Sequence, residues 1–320
     1  MPNKHHPRRG SMQFWPRARC RKHSATVYAW ADSNETKVLG FIGYKVGMTH
    51  LQLKENNAKS PRAGMNIFTP VTVIECPPVK VYSIRLLKGD EDGYKIISEI
   101  FSKKVDKELS RKTKVAKKSG EEIEDFDKIR LTVYTQPKLT GIGKKKPDLI
   151  EIGIGGKTNK EKLEFAKSLL DKEIKLPEVF NEGEWVDIHG VTKGKGFAGT
   201  IKRYGVKRLN HKSEKKIRGI GTLGSWHPNK VKYTVCQPGK MGYHLRTEYN
   251  KLLIKLGVKV EAINPKGGFL QYGNVKNDYV LIKGSVPGAR KRPITLVKAI
   301  RPKVKAPKIE IVYTSLESKQ

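Results

Sequence analysis

Three stretches of this chain are rich in lysine and arginine, nearly free of acid, and mix that charge with Gly, Pro and aromatic residues instead of helix formers. Residues 1–30 hold seven basic side chains, Lys4, Arg8, Arg9, Arg17, Arg19, Arg21 and Lys22, with no acid before Asp32. Residues 190–250 hold fourteen against two acids, Glu214 and Glu248, and residues 283–308 hold nine against none. The first of these has little apolar periodicity and cannot bury enough apolar surface to offset the entropy of ordering it. The core must therefore come from elsewhere in the chain. The first 30 or so residues are expected to form an extended arm.

Several segments read as β. The runs VLGFIGYKVGMTHLQL (residues 38–53), TPVTVIEC (69–76) and KVYSIRLL (80–87) are rich in Val, Ile, Tyr and Thr and are bounded by Gly, Pro or Asn. The pattern resumes at EWVDIHGVTKGKGFAGTIKRYGV, KLGVKVEAINP, GGFLQYG and DYVLIKGSVPG, and VKYTV (231–235) also looks strand-like. Short strands at this spacing predict a barrel or a sandwich. Between about Asp90 and Glu184 the charge is nearly balanced, and two stretches, 97–111 and 159–174, read as helices. The second places Leu163, Ala166, Leu170 and Ile174 on one face. With KIRLTVYTQP and KPDLIEIGIGG as strands between them, this region predicts an α/β insertion turned away from whatever neutralises the rest.

The whole chain of 320 residues carries 65 Lys and Arg against 31 Asp and Glu, a formal charge of +34. That excess calls for a polyanionic partner, and nucleic acid fits because each phosphate contact releases a condensed counterion. A membrane surface fits less well, since no apolar run approaches roughly 18 residues and no basic helix has a clean apolar face. Cys20, Cys76 and Cys236 are far apart and none forms a CxxC, which suits a reducing compartment. The N-terminus has no apolar h-region, and Pro2, Pro7 and Pro16 with His5 and His6 argue against an amphipathic transit helix.

Enzyme motifs are missing where they would matter. GVTKGKGFAG (190–199), GIGKKK (141–146) and GIGGKTNK (153–160) all lack the GxxxxGK[ST] spacing of a phosphate-gripping loop. The eight histidines form no HExxH, there is no GxSxG, and carboxylates are scarce in the basic segments where acid–base or two-metal chemistry would need them. The glycines of 190–199 serve better as backbone access, with Lys193 and Lys195 near phosphates. Trp226, in GIGTLGSWHPNK (219–230), has no periodic apolar neighbours to pack against. An unpaired base offers the surface it lacks.

Several of these phrases are specific enough to carry a resemblance. HKSEKKIRGIGTLGSWHPNKVKYTVCQPGKMGYHLRTEYNK (211–251), VTKGKGFAGTIKRYGVKR (191–208), IKGSVPGARKRPITL (282–296), PRRGSMQFWPRAR (7–19) and LGFIGYKVGMTH (39–50) closely resemble the L-three family of the large ribosomal subunit. The resemblance runs in order along nearly the whole chain. The insertion and the lack of a long C-terminal extension resemble the archaeal form.

That resemblance implies a mainly β fold, a Greek-key β-barrel of the translation-factor type over residues 36–89 and 185–300. It also implies an extended basic arm (1–35), an α/β insertion (90–184), a long internal loop (207–233) and a tail (301–320). It implies a structural constituent with no enzymatic role, no cofactor and no metal, placed in the cytoplasm on the ribosome. The implied partners are large-subunit rRNA and neighbouring large-subunit proteins, with no membrane contact and no stand-alone homo-oligomer. Binding is expected near the 3′ end of the rRNA early in assembly, with Trp226 near the loop tip and directed toward the peptidyl-transferase region. An rRNA-modifying enzyme and a free nucleic-acid-binding protein are the rival readings. Charge pattern and resemblance together select, for rRNA contact, the seven basic residues of the arm; Lys193, Lys195, Lys202, Arg203, Lys207, Arg208, His211, Lys212, Lys215, Lys216, Arg218, Trp226, His227 and Lys230 toward and along the loop; and Lys240, His244, Arg246, Arg290, Lys291 and Arg292 beyond it.

Overall fold

The computed structural model describes residues 8–318 apart from 57, 117, 122, 124, 214, 303–306 and 308. These residues fall into two compact units, one of Lys22–Val191 and Arg246–Gln320, the other of Thr192–Leu245 with the described part of Met1–Arg21. The chain runs β1 (Gly40–Lys54), β2 (Asn66–Glu75), β3 (Val79–Asp90), β4 (Gly93–Phe101), β5 (Lys128–Thr135), β6 (Leu149–Gly153), α1 (Asn159–Leu169), β7 (Glu173–Ile174) and β8 (Trp185–Val191). It continues β9 (Gly194–Ala198), α2 (Thr200–Tyr204), β10 (Gly239–Gly242), β11 (Leu245–Gly257), β12 (Tyr279–Lys283), β13 (Pro293–Lys298) and β14 (Glu310–Thr314). The protein is mainly β, as its sequence implies.

In the larger unit one sheet has the order β13-β8-β11-β12-β2-β1-β14, and a further pairing of β13 with β1 closes six of its strands into a ring. The length of β1 makes this possible. Its first residues pair with β13 (Phe41 opposite Leu296), and its last pair with β14 (Gln52 opposite Tyr313). Alternation along the strands divides two cores. Ile74 on β2 stands opposite Val280 on β12 and joins Phe41, Ile188 and Leu296 in one buried cluster. The alternate residues, Val71, Val73, Tyr279 and Leu281, pack beneath Ile263, Phe269, Tyr272 and Val275 of the segment that follows β11. Burying each such side chain contributes about 1.5–3 kcal/mol.

A second, five-stranded sheet has the order β4-β3-β5-β6, with β7 beside β3. Helix α1 is N-capped by Thr158, whose hydroxyl accepts from the Glu161 N–H at 3.3 Å, and it buries Ala166 against the same cluster as Leu131 and Ile152.

Five local expectations are corrected. KVYSIRLL, read with the barrel strands, is β3 and belongs to the five-stranded sheet, so this sheet begins before residue 90. The stretch 97–111 is not a helix: β3 and β4 pair from Ser83 opposite Phe101 to Asp90 opposite Gly93, and only a 3-10 turn, Lys107–Arg111, follows. The helix read over 159–174 stops at Leu169, because Asp171 takes φ +63° and its carboxylate accepts from Ser102 Oγ at 2.5 Å and the Lys104 N–H at 3.0 Å. GGFLQYG holds one isolated bridge, Phe269 with Gly273, and VKYTV forms no ladder.

Candidate nucleic-acid interface

The smaller unit concentrates the basic sequence. β9 and β10 pair antiparallel, Ala198 opposite Gly239 and Phe197 opposite Lys240. Gly205, with φ +71°, ends α2. The arm is strapped onto this framework by backbone and cation–π contacts. Arg8 donates from Nη2 to the Thr234 carbonyl at 2.7 Å, Cys20 N–H donates to the Tyr243 carbonyl at 2.8 Å, and Arg19 lies 5.5 Å from the Tyr243 ring. Arg17 and Arg203 each approach the ring of Tyr204, at 4.5 and 4.9 Å. Gly10 is the point of closest approach: a Cβ there would sit 2.5 Å from Cys236 Sγ, at a φ of +77°. Trp15 meets Tyr233 edge-on at 5.5 Å, with Arg8 6.0 Å from the indole.

Beyond the strap the loop is thinly supported. Leu209 N–H donates to the Ile217 carbonyl at 3.0 Å near its base, and local turns follow at Ser225, where Oγ donates to the His227 carbonyl at 2.7 Å, and at Lys230. Residues 221–233 are exposed without interruption. Trp226 is 74% exposed, and Leu223 and Val231 are exposed beside it. Gly224 needs its φ of +108°, whereas a Cβ at Gly219 would meet nothing within 4 Å.

The candidate residues sort by exposure. Arg8, Arg9, Arg19, Arg21, Lys22, Lys193, Lys195, Lys202, Lys207, Arg208, His211, Lys212, Lys215, Lys216, Arg218, Trp226, His227, Lys230, Lys240, Arg290 and Lys291 are exposed. Arg17, Arg203, Arg246 and Arg292 are half-buried, and Lys4 lies outside the described residues. Arg203 donates to the carbonyls of Gln237 at 2.8 Å and Lys240 at 3.0 Å, and Arg292 donates to that of Val191 at 3.0 Å, so both serve their own loops. His244 is buried: one ring nitrogen bonds the Ala18 carbonyl at 2.7 Å and the other accepts from the Gly242 N–H at 3.1 Å. In the larger unit Arg290 donates to Gln271 at 3.3 Å, at the turn before β13. Sequence reading passes over Phe197 and Tyr233, which are 78% and 83% exposed. Their signal is a lone aromatic between glycines or lysines, the same signal that marks Trp226.

Two buried acids of the larger unit, Glu75 and Asp187, are committed to structure. Glu75 accepts from the N–H groups of Lys276 and Asn277, both at 2.9 Å, from Asn277 Nδ2 at 2.8 Å, and from the Tyr272 hydroxyl. Burial first, and the Glu75 charge second, push the Tyr272 phenol far up. Asp187 accepts from the N–H groups of Asn250 at 2.8 Å and Ile300 at 3.1 Å. Among the described residues no group of three or more His, Cys, Asp or Glu could hold a metal ion, and no helix is long and apolar enough to cross a membrane.

The result is a mainly β protein with two buried acids tied to its own backbone and a basic arm strapped beside an exposed basic loop. Comparison with known proteins gives its family. The profile of the family described as "Ribosomal protein L3" matches residues 1–123 and 113–320. The large ribosomal subunit protein uL3 of Methanocaldococcus jannaschii is 46% identical, covering 99% of this chain and 98% of its own. The proteins of the same name from Picrophilus torridus and Archaeoglobus fulgidus are each 45% identical, covering 100% and 99% of this chain and 99% and 98% of their own. The chain belongs to the ribosomal protein L3 family and is of the archaeal type. It is a ribosomal protein and not an enzyme.

Proposed function

We propose that this protein is a constituent of the archaeal large ribosomal subunit that binds large-subunit rRNA near its 3′ end and supports early assembly. The closed ring serves as a Greek-key barrel of the translation-factor type. The arm, the loop over 207–233 and the exposed Arg290 and Lys291 take phosphates, and Trp226 is carried toward the peptidyl-transferase region. The five-stranded insertion, with its balanced charge, faces away from the rRNA and is open to neighbouring proteins. The place of work is the ribosome in the cytoplasm. One observation carries this reading above the others: the unbroken exposed run 221–233, with a tryptophan at its centre on a basic loop that buries almost nothing of its own.

The test is binding of the full chain to large-subunit rRNA as salt is raised. Each lysine or arginine that neutralises a phosphate contributes roughly 0.7–0.9 to the slope of log K against log salt. Replacing Lys207, Arg208 and Lys212 with Gln is expected to lower the slope stepwise by about that amount for each phosphate no longer neutralised. Equal binding to an unrelated RNA, with a flat slope, would contradict the proposal.

A further inference from the structure

We propose that the β9–β10 strand pair is a second base-stacking site, in which the ring of Phe197 takes one unpaired nucleobase and the lysines around it take the flanking phosphates. This deepens the rRNA reading above and rests on it. Phe197 is 78% exposed, yet it stands in a hydrogen-bonded ladder and not on an irregular tip. Its cross-strand partner is Lys240, which shares its face because residues opposite each other in an antiparallel pair point the same way. The alternate pair, Ala198 with Gly239, sets the other face, where Ala198 is buried. The strand pair therefore has a definite inside, and Phe197 is on the outside.

The ladder is also shaped to aim that residue. Its register shifts between Lys240 and Gly242, and Gly196 in the facing strand has φ +64°, a bulge of the kind that re-aims a side chain. Lys193 and Lys195 are exposed on the same short stretch, and no acid occurs between Val191 and Gly205. An aromatic ring left open among three lysines suits a base with a phosphate on either side. An acidic or apolar protein face would leave either the ring or the ammonium groups unmatched. Because a ladder holds the ring in place, stacking here costs less ordering than it does on the loop that carries Trp226.

The experiment compares full-length wild-type, Phe197→Ala and Phe197→Trp chains bound to large-subunit rRNA, read by base-specific chemical probing and by affinity across a salt series. Phe197→Ala is expected to weaken binding about tenfold, to leave the salt slope unchanged, and to expose one or a few unpaired bases that Phe197→Trp protects again. Lys240→Gln is expected to do the reverse, lowering the slope by roughly 0.7–0.9. Unchanged reactivity and affinity in Phe197→Ala, on rRNA that the wild type does protect, would overturn this site and leave the broader rRNA reading standing. Loss of a neighbouring protein from assembled subunits without any change in base reactivity would give the face a protein occupant and overturn it equally. Failure of the wild type to protect the rRNA would bring down both readings.

Discussion

The imidazole of His244 joins the arm to the loop framework: one ring nitrogen lies 2.7 Å from the Ala18 carbonyl, and the other accepts from Gly242 N–H at 3.1 Å. A backbone N–H can only donate, so Nε2 is the acceptor and Nδ1 carries the proton given to Ala18. His244→Ala leaves both backbone groups unmatched in a buried place, a loss of about 1–3 kcal/mol to the strap. Limited proteolysis at Arg17 and Arg19 is expected to become several-fold faster, with the larger unit unchanged. A cleavage rate equal to wild type would mean the strap is held elsewhere.

Two glycines separate packing within the protein from packing against rRNA. At Gly10 a Cβ meets Cys236 and Tyr204 at 2.5 and 3.0 Å, and the backbone is left-handed, so Gly10→Ala is expected to loosen the smaller unit by about 1–3 kcal/mol with no RNA present. At Gly219 a Cβ meets nothing within 4 Å. Gly219→Ala should therefore leave hydrogen exchange of the free protein as it was and weaken only its binding to rRNA. Equal binding by the Gly219 variant would show that no RNA approaches the backbone at that point.

Glu75 anchors the segment that roofs the second core. Glu75→Ala removes the acceptor for two backbone N–H groups, one side-chain amide and the Tyr272 hydroxyl, so a loss of about 3 kcal/mol or more is expected. Glu75→Gln keeps one carbonyl oxygen and should lose about half as much. Thermal unfolding gives both values, and a shift below about 2 °C for the alanine variant would contradict this anchoring role.

The larger unit should weaken in mild acid. Burial holds the His189 imidazole below its usual range, with Asp187 opposing in part, while Nδ1 and the Thr247 hydroxyl share a bond of 2.9 Å. His23, although exposed, shifts the same way, through partial desolvation and then the Arg292 charge. A lowered folded pKa means the unfolded chain takes up the proton first as pH falls. The stabilisation is complete above about pH 6.5 and fades as pH drops through that value toward the folded pKa. A lower unfolding midpoint at pH 5.5 than at 7.5 is expected, and His189→Gln should narrow the difference. An identical pH profile for that variant would remove His189 as a source of the acid sensitivity.

The parts of the fold legible in the sequence are those where one strand carries its own signal. β2 and β12 are rich in β-branched residues, and β1 is a long run of apolar and aromatic residues set among glycines. β4 reads as a helix because Ile97, Ile100 and Phe101 imitate a helical stripe, and only the β3 edge, reached across the tight turn at 90–93, makes the segment extended. β7 is hidden by the continuous helical pattern running through Asp171, whose break depends on a distant contact with Ser102. VKYTV has strand-forming residues but no neighbour to pair with, and propensity alone makes no ladder. At the candidate interface, charge marks the exposed lysines and arginines. It says nothing of which candidate side chains fold back on their own chain, as Arg203 and His244 do, because that is settled by loop closure between residues far apart in sequence.

Chemical footprinting of large-subunit rRNA in assembled particles carrying wild-type or Trp226→Ala protein bears most directly on the central claim, that the exposed loop is shaped for folded rRNA. The expected result is a local change in nucleotide reactivity at the peptidyl-transferase region, with the particle intact and the rest of the footprint unaltered. An unchanged footprint there, in particles that contain the variant at full occupancy, would contradict it and leave Trp226 as an exposed side chain on a basic loop with no RNA surface of its own.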